Sequence, residues 1–131
     1  MYSINEFNGA YNKEINDFII DIYVNEYGFE EHRANLEKHD NNIYRECGGN
    51  LWFATDKNNN IVGTIAVFKH NDEEMELKRF YVRKDCRGTS VSKELYQKVI
   101  DTCKKESIKK ISLGTFEKFE NAIHFYTKRR I

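Results

Sequence analysis

The sequence predicts a mixed α/β (α+β) domain, an antiparallel meander followed by a parallel strand pair, with helices on both faces. Three observations carry this. Apolar residues fall at helical spacing over 12–27 and again over 91–100. Short strand-like runs at 51–54, 61–68 and 75–83 are separated by the turn segments Asp56-Lys57-Asn58-Asn59-Asn60 and His70-Asn71-Asp72-Glu73. The last run, 108–115, is reached through a helix, and a helical crossover delivers a strand parallel to the one it left, with a right-handed connection.

In chain order, residues 2–7 alternate loosely and read as a short strand. Ile15, Phe18, Ile19, Ile22 and Tyr23 line one helix face over 12–27, with Gly28 placed to end that helix. A second helix is expected over 34–47, stopped by Gly48-Gly49. After the three-strand meander comes a polar loop, Asp85-Cys86-Arg87-Gly88-Thr89-Ser90, then a helix with Val91, Leu95, Val99 and Ile100 on one face. The run at 108–115 and a short helix over 121–129 complete the chain. The chain contains no proline, so Gly and Asn provide the punctuation. A length of 131 residues fits a single domain, 1–131, by the usual ~100–200 residues per domain.

Aromatic residues make up 14% and charged residues 32% of the chain, which excludes a disordered tail and a membrane-embedded protein respectively. No apolar run approaches the ~20 residues of a spanning helix. MYSINEFNGA lacks a signal-peptide pattern, so a cytoplasmic protein with no membrane partner is expected. Cys47, Cys86 and Cys103 fit neither a disulfide framework nor a zinc site, and the four histidines show no metal-ligand spacing, so no metal is expected. Cys86 beside Arg87 reads as a reactive thiol or, more simply, as a surface accident. Trp52 reads as core.

Residues 1–65 carry a net −6 and residues 66–131 a net +6. Either these charges merely solvate the surface, or they favour a polyanion on the second half and a cation near the first. Nucleic acid is not expected, because the basic residues are interleaved with acids.

The unit at 75–106 carries the chemistry. A strand ends, Arg87-Gly88-Thr89-Ser90 follows, and a helix opens on the small residues Ser90 and Ser92. The first amides of a helix lack internal partners and sit at the positive end of its dipole, so such an end holds phosphate. The simpler alternative is that Thr89 or Ser90 caps the helix and Gly88 makes a turn.

Several segments together resemble the GNAT superfamily of acetyl-coenzyme A-dependent N-acetyltransferases. They are Glu76-Leu77-Lys78-Arg79-Phe80-Tyr81-Val82, Arg87-Gly88-Thr89-Ser90-Val91-Ser92, Leu113-Gly114-Thr115 and Asn121-Ala122-Ile123-His124-Phe125-Tyr126-Thr127-Lys128. Upstream, Asn25-Glu26-Tyr27-Gly28-Phe29, Gly49 to Ala54 and Ile61 to Ile65 are similar too, in the family's order. The sequence departs from the family in two ways. The family's phosphate loop reads Arg/Gln-x-x-Gly-x-Gly/Ala, and both small positions here are serine, whose hydroxymethyl groups either crowd a pyrophosphate or add hydrogen bonds to it. The family also continues past the last helix into further strands. Their absence leaves an open sheet edge, for which a homodimer is expected.

The resemblance implies direct transfer from acetyl-CoA to a primary amine of a small molecule or peptide. Backbone amides of Phe80, Tyr81 and Val82, exposed by a bulge, would hold the thioester and the pantetheine arm. Arg87, Gly88, Thr89, Ser90, Val91 and Ser92 would hold the pyrophosphate, and Asn121 would contact the coenzyme. Tyr126 would protonate the leaving thiolate, as a phenol near pKa ~10 can. Glu76 lies where histone-type members carry a general base, and strand alternation places it with Lys78, Phe80 and Val82 on one face unless a bulge intervenes. Glu26 would sit at the acceptor mouth. Each has a plainer reading: ladder pairing for 80–82, a core aromatic for Tyr126, a helix cap for Asn121, solvated carboxylates for Glu76 and Glu26. The alternative function is a catalytically weak or inactive GNAT-fold module that binds an acyl-CoA or a partner.

Overall fold

A computed structural model describes residues 2–113. It contains a five-stranded sheet in the order β1-β2-β3-β4-β5. The strands are Ser3–Glu6 (β1), Asn50–Thr55 (β2), Ile61–Lys69 (β3), Glu74–Val82 (β4) and Lys110–Leu113 (β5). The first four pair antiparallel, and β5 joins β4 in parallel over Glu74↔Lys110 to Leu77↔Leu113. The meander and the parallel closure are those the turn residues and the helical crossover predict.

The helix Ser90–Lys105 (α4) makes that crossover and covers one face of the sheet. Its stripe of Val91, Leu95 and Val99 is fully buried, against Val62, Ile65, Val67, Met75 and Leu77 of β3 and β4. Gly63 permits the contact. A Cβ there would lie 2.9 Å from Leu95 Cδ1 and 3.2 Å from Val91 Cγ1, so the first turns of α4 rest on bare backbone. Trp52 belongs to this core, and so does Cys86, which is only 1% exposed. Cys86 is thus neither a surface accident nor an accessible thiol.

The opposite face carries the N-terminal helices. The helix Asn12–Ile20 (α1) continues as a π-helical stretch over Asp21–Glu26, and Gly28 at φ +80° ends it, as its position predicts. Phe7, Ile15, Ile19, Tyr23 and Tyr44 pack there on Leu51, Phe53 and Ala66. The single helix expected over 34–47 is instead two, Arg33–Lys38 (α2) and Asn42–Glu46 (α3). Side chains of α1 break it. Asn12 and Asn16 donate to the carbonyl of His39 at 2.9 and 2.8 Å, and the Asn41 amide donates back to Asn12 Oδ1 and Asn16 Oδ1 at 2.8 Å each. His39 is held extended, with ψ 132°, where a continuous helix would need αR geometry.

β4 contains a bulge. Its register with β3 runs Ala66↔Lys78 and then Thr64↔Tyr81, so Arg79 and Phe80 together oppose Ile65. Arg79 adopts φ +57°, and its carbonyl accepts a 2.7 Å hydrogen bond from the buried Thr64 hydroxyl. The extra residue inverts the alternation. Met75, Leu77, Phe80 and Val82 face α4, while Tyr81 packs with the N-terminal helices. The face expected to unite Glu76 and Lys78 with Phe80 and Val82 is therefore split at Arg79.

Candidate functional site

The loop before α4 begins with a 3-10 turn, Lys84–Cys86. Gly88 follows at φ +79° with no heavy atom within 4 Å of a Cβ position, a left-handed conformation that glycine adopts without strain. Thr89 is the helix cap. Its hydroxyl accepts from the Val91 amide at 3.4 Å and donates to the Cys86 carbonyl, which also accepts the Thr89 amide. The amides of Gly88, Ser90 and Ser92 have no hydrogen-bond partner among the described residues, and Gly88 and Ser90 are exposed. The six residues proposed for pyrophosphate thus divide. Thr89 and the Val91 amide build the cap, and Gly88, Ser90 and Ser92 present open donors at the positive end of a 16-residue helix.

Arg87 and Glu26 meet. Arg87 Nη1 and Nη2 donate to the two Glu26 carboxylate oxygens at 2.6 and 2.8 Å, and Nε donates to the Val82 carbonyl at 2.8 Å. The guanidinium also lies 6.0 Å from the Tyr27 ring centroid. Each partner reinforces the other: Arg87 holds the Glu26 carboxyl below its ordinary pKa, and Glu26 raises that of Arg87. The guanidinium therefore ties the π-helical end of α1 to the end of β4 and to the loop. The π-helical winding brings Glu26 to this position, 61 residues away in sequence.

Phe80, Tyr81 and Val82 follow the bulge. Among the described residues β5 pairs with β4 over Glu74 to Leu77. Burial of the Tyr81 phenol raises its pKa far above 10, so it remains protonated. Glu76 lies within the paired part of β4, opposite Ser112. Its carboxylate is 2.8 Å from His70 Nε2 and 3.6 Å from Lys78 Nζ. Asn121, His124 and Tyr126 lie outside the described residues.

The sequence model described as the Acetyltransferase (GNAT) family matches residues 14–130. The chain belongs to the GNAT acetyltransferase family. Its structure is similar to that of a GNAT-family acetyltransferase from Staphylococcus aureus Mu50, with a TM-score of 0.85 and 35% identity over 98% of this chain and 82% of that one. An acetyltransferase from Streptococcus agalactiae 2603 shares the fold, with a TM-score of 0.76 and 24% identity over 98% and 81% of the two chains. So does a predicted acetyltransferase with acetyl-CoA from Clostridium acetobutylicum, at 0.75 and 17% over 96% and 88%.

Within this GNAT domain, four residues matter that their sequence context hides. Gly63 seats α4, Thr64 pins the bulge, Arg79 is the bulged residue, and Tyr44 receives Arg79 Nε at 2.9 Å. Thr64 carries the one readable signal, a lone hydroxyl inside the apolar run 61–68. No group of three or more His, Cys, Asp or Glu able to hold a metal occurs among the described residues, and no helix among them is long and apolar enough to cross a membrane.

Proposed function

We propose that this GNAT-family acyltransferase moves an acetyl group from acetyl-CoA directly to a primary amine of a small molecule or peptide. The observation that supports this reading best is the set of amides at Gly88, Ser90 and Ser92 with no partner among the described residues, on a loop whose shape Arg87 and Glu26 hold. Those donors fit a diphosphate, and Ser90 and Ser92 add hydroxyls where the family pattern has small residues without them. Amides of Phe80, Tyr81 and Val82 past the bulge would receive the thioester carbonyl and the pantetheine arm, lowering the barrier by facing the oxygen as it gains charge.

The balance of the step is simple. The amine nitrogen forms a bond to the acetyl carbon, the carbon–sulfur bond breaks with its electron pair on sulfur, and the proton lost by nitrogen replaces the one the thiolate gains. Tyr126 is the proposed donor to sulfur, Asn121 a proposed coenzyme contact, and Glu76, directly or through His70, the proposed proton acceptor. Arg87 acts as a positioning residue, its side-chain donors already engaged by protein oxygens. The acidic first half does not by itself specify a cationic acceptor, since Asp17, Glu26, Glu30 and Asp56 each pair with a lysine or arginine.

Isothermal titration with acetyl-CoA tests the reading, with micromolar binding expected. The absence of binding at millimolar cofactor overturns it. Serines in the phosphate loop favour a second reading, an acyl-CoA-binding module without turnover. Tight binding with no acetylated product across a broad amine panel would establish that one instead.

A further inference from the structure

Among the described arginines, Arg33, Arg83 and Arg87 each pair with a carboxylate, and Arg45 is exposed. Arg79 differs from all of them. It is half-buried, makes one side-chain hydrogen bond, from Nε to the Tyr44 hydroxyl at 2.9 Å, and has no carboxylate partner among the described residues. The group it meets by hydrogen bond, and the next one beyond it, do not supply a counter-charge. Tyr44 is 2% exposed, and its hydroxyl lies 3.1 Å from His39 Nε2. Burial and the Arg79 charge push the His39 imidazole down to about 4, so it is neutral at pH 7. Tyr44 accepts from Arg79 while its hydroxyl also meets the neutral His39 ring, and this arrangement fixes the guanidinium by Nε, with its two Nη groups uncommitted among the described residues. The same residue holds φ +57°, a conformation costly for a side chain of this size and stabilised here by the Thr64 hydroxyl on its carbonyl. A partly desolvated cation with an open planar fork, on a strained and buttressed backbone, is built to receive an anion from outside the protein.

Its position says which anion. Arg79 directly precedes Phe80, the first amide proposed to meet the thioester, and consecutive Cα atoms are only 3.80 Å apart. Its side chain lies on the face of the N-terminal helices, opposite Phe80, which packs toward α4. We propose that Arg79 binds the carboxylate of the acceptor, and hence that the acceptor is a small primary amine that also carries a carboxylate, in the manner of an amino acid. This rests on the acetyl-transfer reading above. The fork grips the carboxylate in two parallel hydrogen bonds and so delivers the amine, a few bonds away, to the acetyl carbon.

Steady-state kinetics with acetyl-CoA and paired acceptors, each amino acid against its own carboxamide, test the proposal on the wild type and on Arg79→Asn and Arg79→Lys. Asparagine tolerates the left-handed backbone, and lysine keeps the charge without the fork. In the wild type kcat/KM favours carboxylates by about 30-fold or more, as a charge-assisted bidentate contact implies. In Arg79→Asn that ratio falls toward one, mainly through KM, and Arg79→Lys lies between. Titration of acetyl-CoA onto each variant shows whether the fold and the donor site persist. Equal use of acids and amides by the wild type, an unchanged ratio in Arg79→Asn, or no acetylation of either set by a protein that binds acetyl-CoA and acetylates other amines overturns the inference alone. Failure of the wild type to bind acetyl-CoA overturns the acetyl-transfer reading, and the inference with it.

Discussion

The two faces of the sheet are built differently. The α4 face is apolar throughout: Val62, Ile65, Val67, Met75, Leu77, Val91, Leu95, Val99 and Cys103 are all fully buried. Even its thiol is held in the neutral form, with burial pushing Cys103 up to about 11. The face under the N-terminal helices buries polar groups instead: Asn16, Asn41 and Thr64, with His39, Tyr44 and Arg79 beside them. One layer anchors α4 by packing alone. The other sets backbone angles and side-chain directions by hydrogen bonds, at some cost in stability, and it is the layer that holds the proposed acceptor contact, Arg79.

The contrast predicts different penalties. Leu95→Ala removes a fully buried side chain that rests on Gly63, and a cost of about 2–5 kcal/mol is expected from urea unfolding. A cost below 1 kcal/mol would mean that the α4 layer is not the packed anchor described here. Asn41→Ala comes next. It strips donors from Asn12 Oδ1 and Asn16 Oδ1, for about 1–3 kcal/mol. The loss is moderated because Asn41 Oδ1 is itself buried without a partner among the described residues and already carries a desolvation cost. Equal losses at the two positions would erase the distinction between the layers.

How much of this was legible follows the same division. The α4 layer announces itself through a 3.6-residue stripe and uninterrupted apolar strands, because burial there is decided by hydrophobicity alone. The polar layer does not. Residues 34–47 have helical composition, yet contacts from Asn12 and Asn16, over twenty residues away, cut the helix at His39. The bulge was expected from the family resemblance, but its location at Arg79 depends on a hydroxyl from the neighbouring strand. Arg87 was expected in a phosphate loop, whereas its engagement by Glu26 depends on π-helical winding that no spacing rule reveals. Tertiary hydrogen bonds override local propensity at these points.

A pH effect sharpens the comparison further. His39 has a folded-state value of about 4 against an ordinary 6.5. The unfolded chain therefore takes up a proton at a pH where the folded one does not. The resulting stability is fully present above pH 6.5 and is lost as pH falls from there toward 4. The half-buried site screens part of the effect, leaving roughly 1–2 kcal/mol. Unfolding free energies at pH 7 and pH 5 should differ by most of this amount in the wild type and by much less in His39→Gln. The upper end of that window avoids most carboxylate titration. A wild type as stable at pH 5 as at pH 7 would show that the imidazole is not held neutral in this layer.

The smallest effect on stability is expected where the layers meet, at Glu26 and Arg87. Both side chains are about 30% exposed, so the ion pair contributes little net folding free energy. Its geometry nevertheless joins the polar layer to the loop that opens α4. In Glu26→Gln one fork contact is lost, because the amide nitrogen cannot accept, and the other loses its charge, while Arg87 Nε retains the Val82 carbonyl. The unfolding free energy should change by less than about 1 kcal/mol, but the loop loses a constraint, and an anion bound there must order it at its own expense. Titration should then show acetyl-CoA binding weakened by about three- to tenfold, with a larger entropic penalty. Tighter binding in Glu26→Gln would reverse the roles. It would mean that Glu26 withholds Arg87 from the phosphates rather than shaping the loop for them, and that the pair acts as a competitor for the ligand at the junction of the two layers.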